Sequence, residues 1–70
     1  MDIRRQLGRN VRRLREELGW SQEELAFESG LHRTYISGVE RGVRNPTVLI
    51  VHELAQALRV SPSVLLEARR

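Results

Sequence analysis

The chain has 70 residues, no cysteine, twelve arginines and no lysine, and a net charge of +3; one small domain is expected, stabilised by regular helices or a partner subunit, with disulfides and cysteine metal sites excluded. The charge is divided: residues 1–20 and 32–70 each carry six arginines against three acids, whereas residues 21–31 carry Glu23, Glu24 and Glu28 and no base, which suggests one face shown to a polyanion and another turned from it. No apolar run reaches the length of a membrane span and no apolar leader opens the chain, so the cytosol is the expected compartment.

In chain order, Ile3, Leu7, Val11, Leu14 and Leu18 recur every three or four residues. That is the apolar stripe of a first helix, with arginines around the rest of its circumference; Gly19 stops it. Ser21 with Glu24 makes a capping box, and Trp20 with Leu25 makes a hydrophobic staple around it. A second helix therefore starts at Gln22, runs to about Ser29 and ends at Gly30. Leu31, Ile36 and Val39 define a third helix, roughly 32–41, closed by Gly42. Beyond the breaker Pro46, Thr47 caps a fourth helix whose inner stripe is Val48, Val51, Leu54, Ala55 and Leu58. Ser61-Pro62 opens a fifth helix, about 62–68, carrying Val64, Leu65 and Leu66. The fold class expected is all-α, one domain over 1–70, without strand, linker or repeat.

Residues 22–41 carry the most information. Two helices joined by so short a turn bring their backbones close, so Ala26 must be small, and Gly30 supplies the positive φ of a sharp turn. Leu31, Ile36 and Val39 bury one stripe of the second helix of the pair and leave its other face free. This is the pattern of a helix-turn-helix, whose second helix enters the DNA major groove.

The segments Leu18-Gly19-Trp20-Ser21-Gln22-Glu23-Glu24-Leu25-Ala26, Ile36-Ser37 with Glu40-Arg41-Gly42, and Arg44-Asn45-Pro46 resemble the Cro/C1-type (XRE) helix-turn-helix regulators, and the resemblance covers essentially the whole chain. More narrowly, Arg33-Thr34-Tyr35-Ile36-Ser37-Gly38 with Glu40-Arg41 and Arg44-Asn45 resembles the restriction–modification controller proteins of that family, small dimers that regulate their own operon. The resemblance implies a five-helix lambda-repressor-like domain and a sequence-specific transcriptional regulator acting as a homodimer. It also implies a Tyr35 lying against the DNA backbone and a bridge between Arg15 and Glu40. The wheel agrees with the bridge, because Glu40 lies near the inward side and a buried carboxylate needs a partner. Two residues depart from the family pattern. His32 stands where Ser, Thr or Asp usually caps the recognition helix. Ser29 stands where an apolar residue is usual, although its hydroxyl can bond back along the second helix.

With Ile36 and Val39 turned inward on a helical wheel, Thr34, Ser37, Gly38 and Arg41 face outward, Arg33 and Tyr35 lie on the flanks, and His32 stands at the entrance. Base readout is assigned to His32, Arg33, Thr34, Ser37 and Gly38. Arg33 suits guanine O6 and N7, the hydroxyls suit a base edge or a thymine methyl, and Gly38 allows close backbone approach. The DNA backbone is assigned to Gln22 at the amino end of the second helix, the Tyr35 hydroxyl, and Arg41, Arg44 and Asn45. Leu49 points away from the inner stripe of its helix, and Pro62, Val64 and Leu66 leave apolar surface on a short one; these four are assigned to a two-fold dimer interface.

The expected partners are double-stranded DNA and a second copy of the chain. No membrane, cofactor, metal or small-molecule ligand is expected. An enzyme is not expected either, since no nucleophile–base pair or carboxylate dyad is present and the chain has no room for a substrate cavity. Two alternatives stand beside the regulator. A DNA-binding antitoxin would need a toxin-binding segment beyond the five helices. A helical protein-interaction module without a nucleic-acid role leaves the Arg44-Asn45 loop and the charge partition unexplained.

Overall fold

The computed structural model describes residues 2–68, in which five helices follow one another through short turns: α1 Ile3–Glu17, α2 Gln22–Ser29, α3 Arg33–Glu40, α4 Val48–Leu58 and α5 Pro62–Leu66. No strand occurs among the described residues. α1 starts at Asp2, whose carboxylate accepts the Arg4 N–H at 2.8 Å. Bonds from the Arg4 side chain and backbone hold the Asp2 carboxyl down to about 2. Leu7 and Val11, at the middle of the apolar stripe, are buried, whereas Ile3 and Leu18 at its two ends overhang the core and stay exposed.

The capping box at α2 is complete. The Glu24 N–H donates to Ser21 Oγ at 3.1 Å and the Ser21 N–H donates to Glu24 Oε1 at 2.9 Å. Trp20 packs against the core beside fully buried Leu25. Gly30 ends the helix at φ 74°, which a side chain would resist. The Ser29 hydroxyl donates to the Leu25 carbonyl at 2.7 Å, so the polar residue at this usually apolar position has its bond made locally.

α3 is one residue shorter at each end than the periodicity suggests. His32 is extended and makes no side-chain cap bond, and Arg41 forms the C-cap; an imidazole lacks the oxygen acceptor with which Ser, Thr or Asp holds the first turn. α4 is capped by Thr47, whose hydroxyl accepts the Ile50 N–H at 3.2 Å. Its inner stripe begins later than expected: Val48 is 87% exposed, while Leu54, Ala55 and Leu58 are buried. Val48 is the first residue of α4 and lines an open apolar groove with Leu49 and Leu66. α4 ends without a glycine. Arg59 takes the left-handed conformation at φ 64°, and its guanidinium lies over the Trp20 ring, 6.0 Å from the centroid.

α5 ends at Leu66, not at residue 68, and Glu67 is extended. α1 stops it. Buried Asn10 donates from Nδ2 to the carbonyls of Leu65 and Glu67, both at 2.9 Å, and Gln6 donates from Nε2 to the Leu66 carbonyl at 2.6 Å. The last carbonyls of a helix lack intrahelical partners, and here two side chains of the first helix supply them. Leu65 is thereby fixed in the core with Val11, Leu25, Ile36, Val39 and Leu54. α1 also packs closely on the end of α3. A Cβ on Gly8 would collide with the Val39 carbonyl oxygen and come within 2.7 Å of the Glu40 carbonyl oxygen.

Candidate nucleic-acid interface

Burial of Ile36 and Val39 orients α3. His32, Arg33, Thr34 and Arg41 are exposed around it, and Ser37 and Tyr35 are half-buried. The expected outward set is therefore brought to one surface, with one correction. Gly38 is not open to solvent; it is buried. The Arg44 side chain folds back from the following loop and covers it, with Cγ only 2.8 Å from where a Gly38 Cβ would stand. The Arg44 guanidinium lies 5.4 Å from the centroid of the Tyr35 ring, within the range of a cation–π contact. Arg44 thus lies on α3, and the exposed Asn45 continues the loop beside it.

The other end of α3 is held by a network. Glu40 Oε2 accepts from Arg15 Nε at 2.7 Å, and Glu40 Oε1 accepts from Arg15 Nη2 at 3.0 Å and from Gln22 Nε2 at 3.1 Å. Arg15 Nη1 donates to the Trp20 carbonyl at 2.7 Å. The arginine and carboxylate side chains keep only 11% and 5% of their exposure. Bonding to Glu40 raises the Arg15 pKa above its ordinary value. α1, the start of α2 and the end of α3 are thereby locked in one geometry. The Gln22 side chain donates inward to Glu40 with one of its two amide hydrogens. What α2 offers outward is its amino end, where the first backbone N–H groups have no intrahelical acceptor.

Of the acids of α2, Glu23 stands at the edge of this surface. Glu23 Oε1 is 4.0 Å from Arg33 Nε, and both side chains are exposed. Such a pair contributes little, so Arg33 can leave it at small cost.

Away from α3, an open apolar groove of about 580 Å³ runs between α4 and α5, lined by Pro46, Val48, Leu49, Val51, His52, Pro62 and Leu66. Leu49 and Leu66 are 64% and 44% exposed. Val64 is half-buried and does not line the groove. The structural parts that sequence reasoning left unassigned are Gly8, Gln6 and Asn10. The available signal was Asn10 itself, a polar residue three positions after Leu7 on the buried side of α1.

A family profile described as helix-turn-helix, HTH_3, matches residues 11–65. The chain belongs to this helix-turn-helix family. It is 54% identical over 61 residues to the HTH-type transcriptional regulator y4dJ of Sinorhizobium fredii, covering 87% of this chain and 79% of that protein. It is 46% identical over 67 residues to control protein C.BamHI of Bacillus amyloliquefaciens, covering 94% and 83%. Among solved structures, the restriction–modification controller protein C.AhdI from Aeromonas hydrophila superposes with a TM-score of 0.86 at 47% identity, covering 89% of this chain and 94% of that one. The controller protein C.Esp1396I, solved as a tetramer in complex with its natural 35 base-pair operator, superposes with a TM-score of 0.84 at 37% identity, covering 93% and 86%. The helix-turn-helix chain is accordingly a DNA-binding transcriptional regulator of the XRE type and not an enzyme. No helix among its described residues is long and apolar enough to cross a membrane.

Proposed function

We propose that this regulator acts in the cytoplasm as a controller-like homodimer on a palindromic operator, including that of its own operon. The observation that carries the dimer is the groove between α4 and α5, where Val48, Leu49 and Leu66 stay exposed although the core beneath them is closed. A second copy related by a two-fold axis would cover this face on both partners, with Leu49, Pro62 and Leu66 in the contact and Val64 at its margin. Support comes from C.Esp1396I, a relative whose tetramer sits on its operator.

In this reading Arg33, Thr34 and Ser37 read bases, with His32 at the entrance. The amino end of α2, Tyr35, Arg41, Arg44 and Asn45 hold phosphates. Base edges carry the sequence information and phosphate contacts set position and salt dependence. Two measurements test it. Sedimentation should show a dimer at micromolar concentration that Leu49→Glu converts to monomer. Selection from a random DNA pool should recover palindromes that also occur upstream of the protein's own gene. A parent chain that stays monomeric at high micromolar concentration would falsify the dimer.

A further inference from the structure

We infer that Gly38 is a positioning residue for DNA binding: with the Tyr35 ring it forms a seat that holds Arg44 against α3, and its effect on affinity passes through Arg44. The inference rests on the DNA-binding reading of this surface. Gly38 is an unfavourable residue inside a helix, and it is not among the glycines of positive φ, so backbone conformation does not call for it. Three successive atoms of the Arg44 side chain cross its bare Cα. A Cβ would lie 2.8 Å from Cγ, 3.4 Å from Cδ and 3.0 Å from Nε. Cγ is close to the Arg44 backbone, and the residue before it is tied to α3, because the Val43 N–H donates to the Gly38 carbonyl at 3.0 Å. An added methyl therefore displaces the whole arginine stem, not only its tip.

The second wall is independent of the first. Tyr35 lies one turn before Gly38 on the same helix, and its ring faces the guanidinium at 5.4 Å. A seated arginine has already lost much of the rotamer freedom that binding would otherwise remove. The glycine is thus explained by what fills the space above it. The DNA meets the arginine there and not the bare backbone.

The test is a double-mutant cycle of the parent, Gly38→Ala, Arg44→Ala and the double variant. Each is titrated by fluorescence anisotropy against a selected operator duplex and a scrambled duplex, at low salt where the proteins carrying Arg44→Ala still bind. With Arg44 present, Gly38→Ala should weaken both duplexes about two- to tenfold, the range set by immobilising one long side chain on binding. In the Arg44→Ala background it should have no effect. The melting temperature of Gly38→Ala should stay close to the parent's, because the better helix propensity of alanine offsets the displacement of the arginine stem. Tyr35→Phe, which loses the hydroxyl assigned to a phosphate but keeps the ring, should keep the seat, and the further loss from Tyr35→Phe to Tyr35→Leu should show the same dependence on Arg44. Equal losses in both backgrounds would mean that Gly38 meets DNA directly and would overturn the inference. So would no loss in either background, or a Gly38→Ala protein whose lost binding tracks a lowered melting temperature. A parent chain that binds no duplex overturns the DNA-binding reading and the seat with it, whereas the other failures leave that reading standing.

Discussion

Arg33 and Arg44 carry the same charge on the same surface, but their settings differ. Arg33 is exposed on the first turn of α3, with only a long contact to Glu23, and is free to turn into a groove. Arg33→Ala should cost about 1–3 kcal/mol on the preferred operator and much less on unrelated DNA. Arg44→Ala should weaken all sequences alike and lower the salt slope by about one per subunit. Titrations of both variants on operator and scrambled DNA across a salt series separate the two; equal losses for Arg33→Ala on both DNAs would make it a phosphate contact. Glu40 behaves differently again, because it is buried. Glu40→Gln leaves the Arg15 charge uncompensated and should cost about 3–5 kcal/mol in a urea melt. The burial of Glu40 was legible from its place on the wheel beside Ile36 and Val39. The cover over Gly38 was not, since a loop side chain folding back onto a helix leaves no periodic trace.

Element boundaries were legible where the devices that set them are local. α2 starts and ends where its capping box and Gly30 put it. α4 starts at its Thr47 cap, yet its end depends on Arg59 in a left-handed conformation over Trp20, a tertiary arrangement without a glycine to announce it. The end of α5 is likewise set from outside, by Asn10 and Gln6 of α1. Asn10→Ala removes a buried donor and leaves the Leu65 and Glu67 carbonyls without it. The expected loss is about 1–3 kcal/mol of stability, read by thermal melting. Because α5 lines the groove, the dimer should weaken as well, and a variant that melts lower but dimerises with unchanged affinity would show that α5 holds its place without this bond.

At the scale of the molecule, the five helices were legible from their apolar stripes and their cap, glycine and proline boundaries, and their packing as this fold from the resemblance to a family. The apolar groove was legible only in part: Leu49 and Leu66 are exposed along it, as their positions suggest, whereas Val48, expected inside, lines it too. A two-fold dimer presenting both α3 helices to one side of a duplex requires half-sites about 34–36 Å apart, one helical turn. Footprinting of the selected operator should show protection at that spacing, and inserting half a turn between half-sites should abolish cooperative occupancy. The clamp from α1 to α5 also sets an order in time. Asn10 emerges during synthesis long before its acceptors at Leu65 and Glu67, and at roughly 5–20 residues per second the wait is a matter of seconds. The core is shared over the same span: Leu54, Ala55 and Leu58 of α4 and Leu65 of α5 pack with Val11, Leu25 and Ile36, so α1, α2 and α3 close no core of their own before the last helices join. The first helix is thus completed by the last, and folding of the whole domain waits on the carbonyls at the end of α5.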